Sequence, residues 1–156
     1  MQAILVGLIF LTVNTPANAE PVIEGGFGGA YSTKIATQPI ANGVVPALMI
    51  GGGWKLDSKS TAKLRFFHYE ADGPSRLLTL GIDYDVIKEF GGIVGQAGLS
   101  HGSKTGIGNV LGAGLYARIP VHKILGIRLE GMFNKIYRND LGGSSIVFFT
   151  GLEWRP

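Results

Sequence analysis

Cysteine is missing from all 156 residues, which excludes a disulfide framework and any thiolate metal site. Histidine is scarce, with 3 residues scattered along the chain, so the spacing offers no metal centre and no cofactor is expected. Charge of one sign is also missing. The 14 Lys and Arg against 11 Asp and Glu leave +3, too dispersed for the basic stripe of a nucleic-acid binder. Past the opening segment no apolar run reaches the length of a membrane helix. Helical periodicity is poor throughout, because Gly and β-branched or aromatic residues fill the apolar stretches. What is abundant is glycine, 25 residues without a collagen period, the mark of tight turns and close backbone packing. The length suits one domain.

The opening stands apart. The apolar run "AILVGLIFLTV" is followed by Asn14, Thr15 and Pro16 and then by Ala17-Asn18-Ala19. An apolar core, a helix breaker and a small-residue site predict a secretory signal peptide over 1–19, cut before Glu20. The domain then spans 20–156. With no cysteine after the cleavage point, a lipoprotein anchor is excluded.

From there the chain divides at turn signals ("DSKS", "ADGPS", "KEFGG", "VHK", "NDLGG") into eight stretches of strand length. They run roughly over 21–34, 46–57, 60–71, 76–88, 91–103, 109–121, 124–138 and 144–155. Alternation sets the class. Leu78, Leu80, Ile82, Tyr84 and Val86 share one face of the fourth stretch against Thr79, Gly81, Asp83 and Asp85. Leu125, Ile127, Leu129 and Phe133 oppose Gly126, Arg128, Glu130 and Asn134 in the seventh. One face is continuously apolar; the other mixes glycine with charge.

The charged face holds Lys55, Lys63, Arg65, Arg118, Arg128 and Arg155 with Glu24, Asp83, Asp85, Glu130 and Glu153. Such a face is buried only if its charges pair. The near balance suits a narrow lumen filled by ion pairs and hydrogen bonds, with lipid on the apolar side. An even number of strands near ten residues each predicts an all-β fold: an eight-stranded antiparallel up-and-down transmembrane β-barrel. The alternative is a soluble periplasmic β-barrel carrier with its polar face in water.

A periplasmic N-terminus makes the odd connections extracellular, and the longest, "IATQPIANGVV", is the first of these. Tyr31, Trp54, Tyr84, Phe133, Tyr137 and Trp154 fall where interfacial aromatic girdles belong. The outer rim carries Lys34, Arg76, Lys104, Lys135 and Arg138, a basic excess placed to meet lipopolysaccharide phosphate. His68 and Glu70 form an i, i+2 pair on one face of the third strand, too few ligands for a metal. His122 belongs to a solvated turn.

The closing pattern "GAGLYARI…GIRLEGMF…IVFFTGLEW" is similar to small eight-stranded outer-membrane barrels of the OmpA/OmpX/opacity-protein type. The resemblance implies a monomeric barrel in the outer membrane of a Gram-negative bacterium. Its role there is structural or surface-directed, its lipid partner lipopolysaccharide. It also implies delivery by the barrel-insertion machinery, for which such chains carry a terminal aromatic; here Trp154 stands two places from the end.

One stretch, "SHGSKTG", raises a catalytic alternative. Continuing the phase of Ile93, Ala97 and Leu99, His101 and Ser103 point to the outer leaflet. This His-x-Ser resembles that of a barrel enzyme, the lipid A deacylase, and implies ester hydrolysis with Ser103 as nucleophile and His101 as base. The family places the motif on the penultimate hairpin, which here reads "EGMFNKIYRNDLGG". The residues around His101 are turn formers, so the expectation is a non-enzymatic loop. A porin-like open pore is not expected, since side chains fill an eight-stranded interior.

Overall fold

The computed structural model describes residues 19–33, 44–70, 74–102, 106–138 and 141–156. They form eight strands: β1 (Glu20–Thr33), β2 (Val44–Lys55), β3 (Ser60–Glu70), β4 (Pro74–Ile87), β5 (Gly91–Gly102), β6 (Gly106–His122), β7 (Leu125–Arg138) and β8 (Leu141–Trp154). Each pairs antiparallel with its chain neighbours, and β1 closes on β8 to complete the barrel. The predicted signal segment up to Asn18 lies outside the described residues, as do 34–43, 71–73, 103–105 and 139–140. β6 starts earlier than its turn chemistry suggests. Gly106, at φ 73°, reverses the chain, and Ile107 and Asn109 already alternate in strand phase.

The start of β1, the end of β8 and the turns at 56–59, 88–90 and 123–124 gather at one end of the barrel, here the terminal end; the strand ends joined by 34–43, 71–73, 103–105 and 139–140 lie at the other, the loop end. The short turns are locally specified. Asp57 Oδ1 accepts the backbone N–H of Lys59 at 2.7 Å and of Ser60 at 2.8 Å. These hydrogen bonds hold its carboxyl below the ordinary aspartate range, the Lys59 amide most of all. Register shifts fall between Asp85 and Ile87 and between Pro120 and His122. The second is a site where a proline lacking its N–H costs the ladder nothing.

Every strand exposes large apolar side chains on its outward face, among them Phe27, Ile50, Phe66, Ile82, Ile93, Leu115, Leu129 and Phe148. Inward-pointing charges such as Lys63, Arg65, Asp83 and Glu153 are almost wholly buried. A water-soluble carrier needs the reverse arrangement, so the soluble alternative fails here. No helix of the described residues is long and apolar enough to cross a membrane, and strands take that role.

The interior is not uniformly polar. Charge is confined to the terminal half. The loop half is an apolar core of Ala30, Ala47, Met49, Phe67, Tyr69, Leu77, Val110, Met132, Ile136, Val147 and Phe149. Phe67 and Phe149 meet across it with ring centroids 5.4 Å apart. The expectation of a lumen filled throughout by ion pairs and hydrogen bonds is therefore corrected. A barrel this narrow brings opposite walls into contact, so apolar side chains fill the upper interior as they fill any core.

Candidate functional site

Cross-strand register gathers the charges. Glu24 on β1 and Glu153 on β8 are direct partners, a repulsive pairing if left alone. Lys63 reaches both from β3: its Nζ lies 2.7 Å from Glu24 Oε2, 2.6 Å from Glu153 Oε2 and 2.8 Å from Asp83 Oδ2. Arg65 donates from Nε to Glu24 Oε1 at 2.6 Å and from Nη2 to Asp83 Oδ1 at 3.1 Å, with Glu130 Oε2 at 3.3 Å. Arg128 donates from Nη1 to Asp83 Oδ2 at 2.8 Å and to Glu153 Oε2 at 3.3 Å, and its Nε reaches Glu130 Oε2 at 2.7 Å. Charges held this deep cost several kcal/mol each to desolvate, so their pairing is obligatory.

Glycine makes the reach possible. Gly51 stands in register between Glu24 and Arg65, and a Cβ there would come within 3.0 Å of Glu24 Oε1 and 3.1 Å of Arg65 Cγ. The same device recurs one layer up. Gly112 separates Gln96 from Asn134, and a Cβ on it would occupy the space where their amides meet. Gln96 Nε2 donates to Asn134 Oδ1 at 2.8 Å, and Thr79 Oγ1 donates to Gln96 Oε1 at 2.8 Å. This uncharged chain spans β4, β5 and β7 between the ionic and apolar halves.

At the terminal end Glu153 Oε1 lies 2.7 Å from Arg155 Nε and 3.1 Å from Arg118 Nε. The Arg118 contact is an ion pair without a hydrogen bond, because its N–H is not aimed at the oxygen. Asp85 accepts the Tyr116 hydroxyl, and the Tyr116 ring receives the Arg128 guanidinium 4.0 Å from its centroid. Lys55 departs from expectation. It pairs with Glu20 at 3.3 Å on the terminal rim, where both are partly in water, and takes no part in the buried cluster. One strand position too near the end carries it past the lumen's floor.

The remaining predicted residues sit as follows. Arg76 and Lys135 are exposed on the outward face, and His101 is exposed near the end of β5. Lys34, Ser103, Lys104 and the Arg138 side chain lie outside the described residues, as does the side chain of Glu70. In register with His101 stand Arg76 on β4 and Ile107 on β6. Neither is a carboxylate able to orient an imidazole as a general base. Among the described residues no group of His, Asp and Glu is placed to hold a metal.

Sequence reasoning passed over Tyr116 as a partner of Asp85, and the Gln96–Asn134–Thr79 chain. Their signal was available: each shares the inward phase of the charged residues. Their partnerships were not, because they depend on register.

No protein-family model matches the chain, and no curated protein matches it by sequence. Solved structures do match in fold. Ail, the attachment invasion locus protein of Yersinia pestis, crystallised with the heparin analogue sucrose octasulfate, superposes with a TM-score of 0.63 at 14% identity. The match covers 87% of this chain and 99% of that one. Neisserial surface protein A (NspA) gives 0.68 at 12% identity, covering 87% and 97%. A closed eight-stranded barrel with lipid-facing apolar strands and buried charge defines a transmembrane β-barrel of the outer-membrane kind. Within that class the fold is that of the small OmpA/OmpX-type barrels.

Proposed function

We propose that this chain is a non-catalytic barrel of the Gram-negative outer membrane whose lumen is closed to solutes. Its work is structural or surface-directed. In this reading a cleaved signal peptide over 1–19 exports the chain, and the barrel-insertion machinery places it as a monomer. The terminal end faces the periplasm and the loop end the exterior, where the rim cations Lys34, Arg76, Lys104, Lys135 and Arg138 meet lipopolysaccharide phosphate.

The observation that carries closure is the Lys63–Arg65–Arg128 cluster. Its contacts tie β1, β3, β4, β7 and β8 together across the interior. A solute would have to break several desolvated ion pairs to pass. The absence of a carboxylate partner in register with His101 supports a non-catalytic role.

Planar-bilayer recording of the refolded protein tests closure: no stepwise conductance is expected, and discrete steps would refute it. Lipid A mass spectra from cells expressing the protein and from cells expressing His101→Ala should coincide. Loss of an acyl chain only with the unsubstituted protein would restore the hydrolase.

A further inference from the structure

Three residues that the sequence scatters over a 34-position interval are brought side by side near the loop end. Arg76 on β4 is in register with His68 on β3 and with His101 on β5. All three share the outward phase. Directly beneath them on the same faces stand Phe66, Leu78 and Leu99, part of the apolar belt. Neighbouring strands are about 4.8 Å apart, so the row spans about 10 Å. Its flanks are uncharged: Leu48 on β2 is in register with His68, and Ile107 on β6 with His101.

We propose that His68, Arg76 and His101 form a proton-dependent binding row for the phosphate of an outer-leaflet glycolipid. The inference rests on the membrane orientation given above and names the site and the regulation within it. A guanidinium supplies a fixed charge and a two-point hydrogen-bonding fork for phosphate oxygens. The flanking imidazoles add donors and, in the range where histidine as a class gains its proton, positive charge. Cations seated at the upper edge of an apolar belt stand at headgroup height, where a lipid phosphate sits above its own acyl chains.

The charged groups that could oppose the row are few. β2 offers Pro46, Leu48 and Ile50, and β6 offers Ile107 and Asn109, none of them ionisable. On β3, Glu70 follows His68 by two positions in the same phase, and its side chain lies outside the described residues. Among the described residues no carboxylate stands in the row.

Native mass spectrometry of the full barrel in detergent, titrated with diphosphoryl lipid A, tests the site. Tighter retention at about pH 5.5 than at about pH 8 is expected, by roughly tenfold, since histidine as a class gains its proton over that interval. His68→Ala with His101→Ala should abolish that difference while keeping residual binding, and Arg76→Ala should weaken binding at both values. Dephosphorylated lipid A should show no pH dependence. Retention insensitive to pH, or unchanged in the double variant, would overturn the proposal. Displacement of lipid A by millimolar inorganic phosphate would reassign the row to a free anion and overturn the lipid source. Each variant is checked for the heat-dependent gel shift of a folded barrel. Fractionation keeps the two readings apart: a protein absent from the outer membrane defeats the orientation, whereas one present there without pH-dependent retention defeats only the site.

Discussion

The two halves of the barrel interior are built from the same inward phase of the same strands, yet they cohere by opposite means. On β3 the inward sequence runs Thr61, Lys63, Arg65, Phe67, Tyr69, turning from charge to ring within one step. On β8 it runs from Val147 and Phe149 to Glu153 in the reverse chain direction. The loop half gains from close packing, where the cost of a change is set by the volume it leaves. The terminal half gains little net energy from its charges; what it acquires is intolerance of any unpaired partner. An apolar core adapts to a lost methyl group, whereas buried charge made of five carboxylates and four cations does not adapt to a lost partner. That difference teaches where the fold is forgiving and where it is not.

The comparison breaks first at Arg128. Arg128→Leu strands Asp83, Glu130 and Glu153 without one of their cations. We expect a loss of roughly 3–5 kcal/mol, read from urea unfolding in detergent. Lys104→Ala, a change at a cation the sequence assigns to the rim, should move the same midpoint by less than about 0.5 kcal/mol, and equal midpoints would remove the distinction between lumen and rim.

Phe149→Ala, in the apolar half, leaves Phe67 facing a void. It should cost about 3 kcal/mol. Refilling with Leu should recover most of that, a rescue that no apolar substitution at Arg128 provides.

Gln96→Leu sits on the boundary. It removes the acceptor of Thr79 and the donor to Asn134, for an expected loss of about 1–3 kcal/mol by the same unfolding assay. A neutral result would mean that the apolar core extends down to the ionic cluster without a polar layer.

The smallest effect has the opposite sign. Glu89 holds a left-handed backbone at φ 65° in the turn between β4 and β5. Glu89→Gly should therefore stabilise by up to about 1 kcal/mol through relief of that strain. A lower midpoint would show that the carboxylate earns its place by a contact outside the backbone.

Much of this was legible before any coordinates. The alternation of Leu80, Ile82 and Tyr84 with Thr79, Gly81 and Asp83 is a period-two pattern, and a period of two on a closed antiparallel sheet leaves each side chain only an inside and an outside. Eight such stretches, turn residues between them, and charges gathered mainly on the non-apolar phase determined the strand count, the barrel, and which faces meet lipid. Lys55 marks the limit of that reasoning, since phase tells the side but not the height. The tertiary structure decided what touches what. That Lys63 lies between Glu24 and Glu153, that Gly51 and Gly112 are gaps held open for pairs, and that His68, Arg76 and His101 form one row all depend on register. Register is a property of two strands at once, set by closure of the whole barrel, and no single strand's pattern contains it.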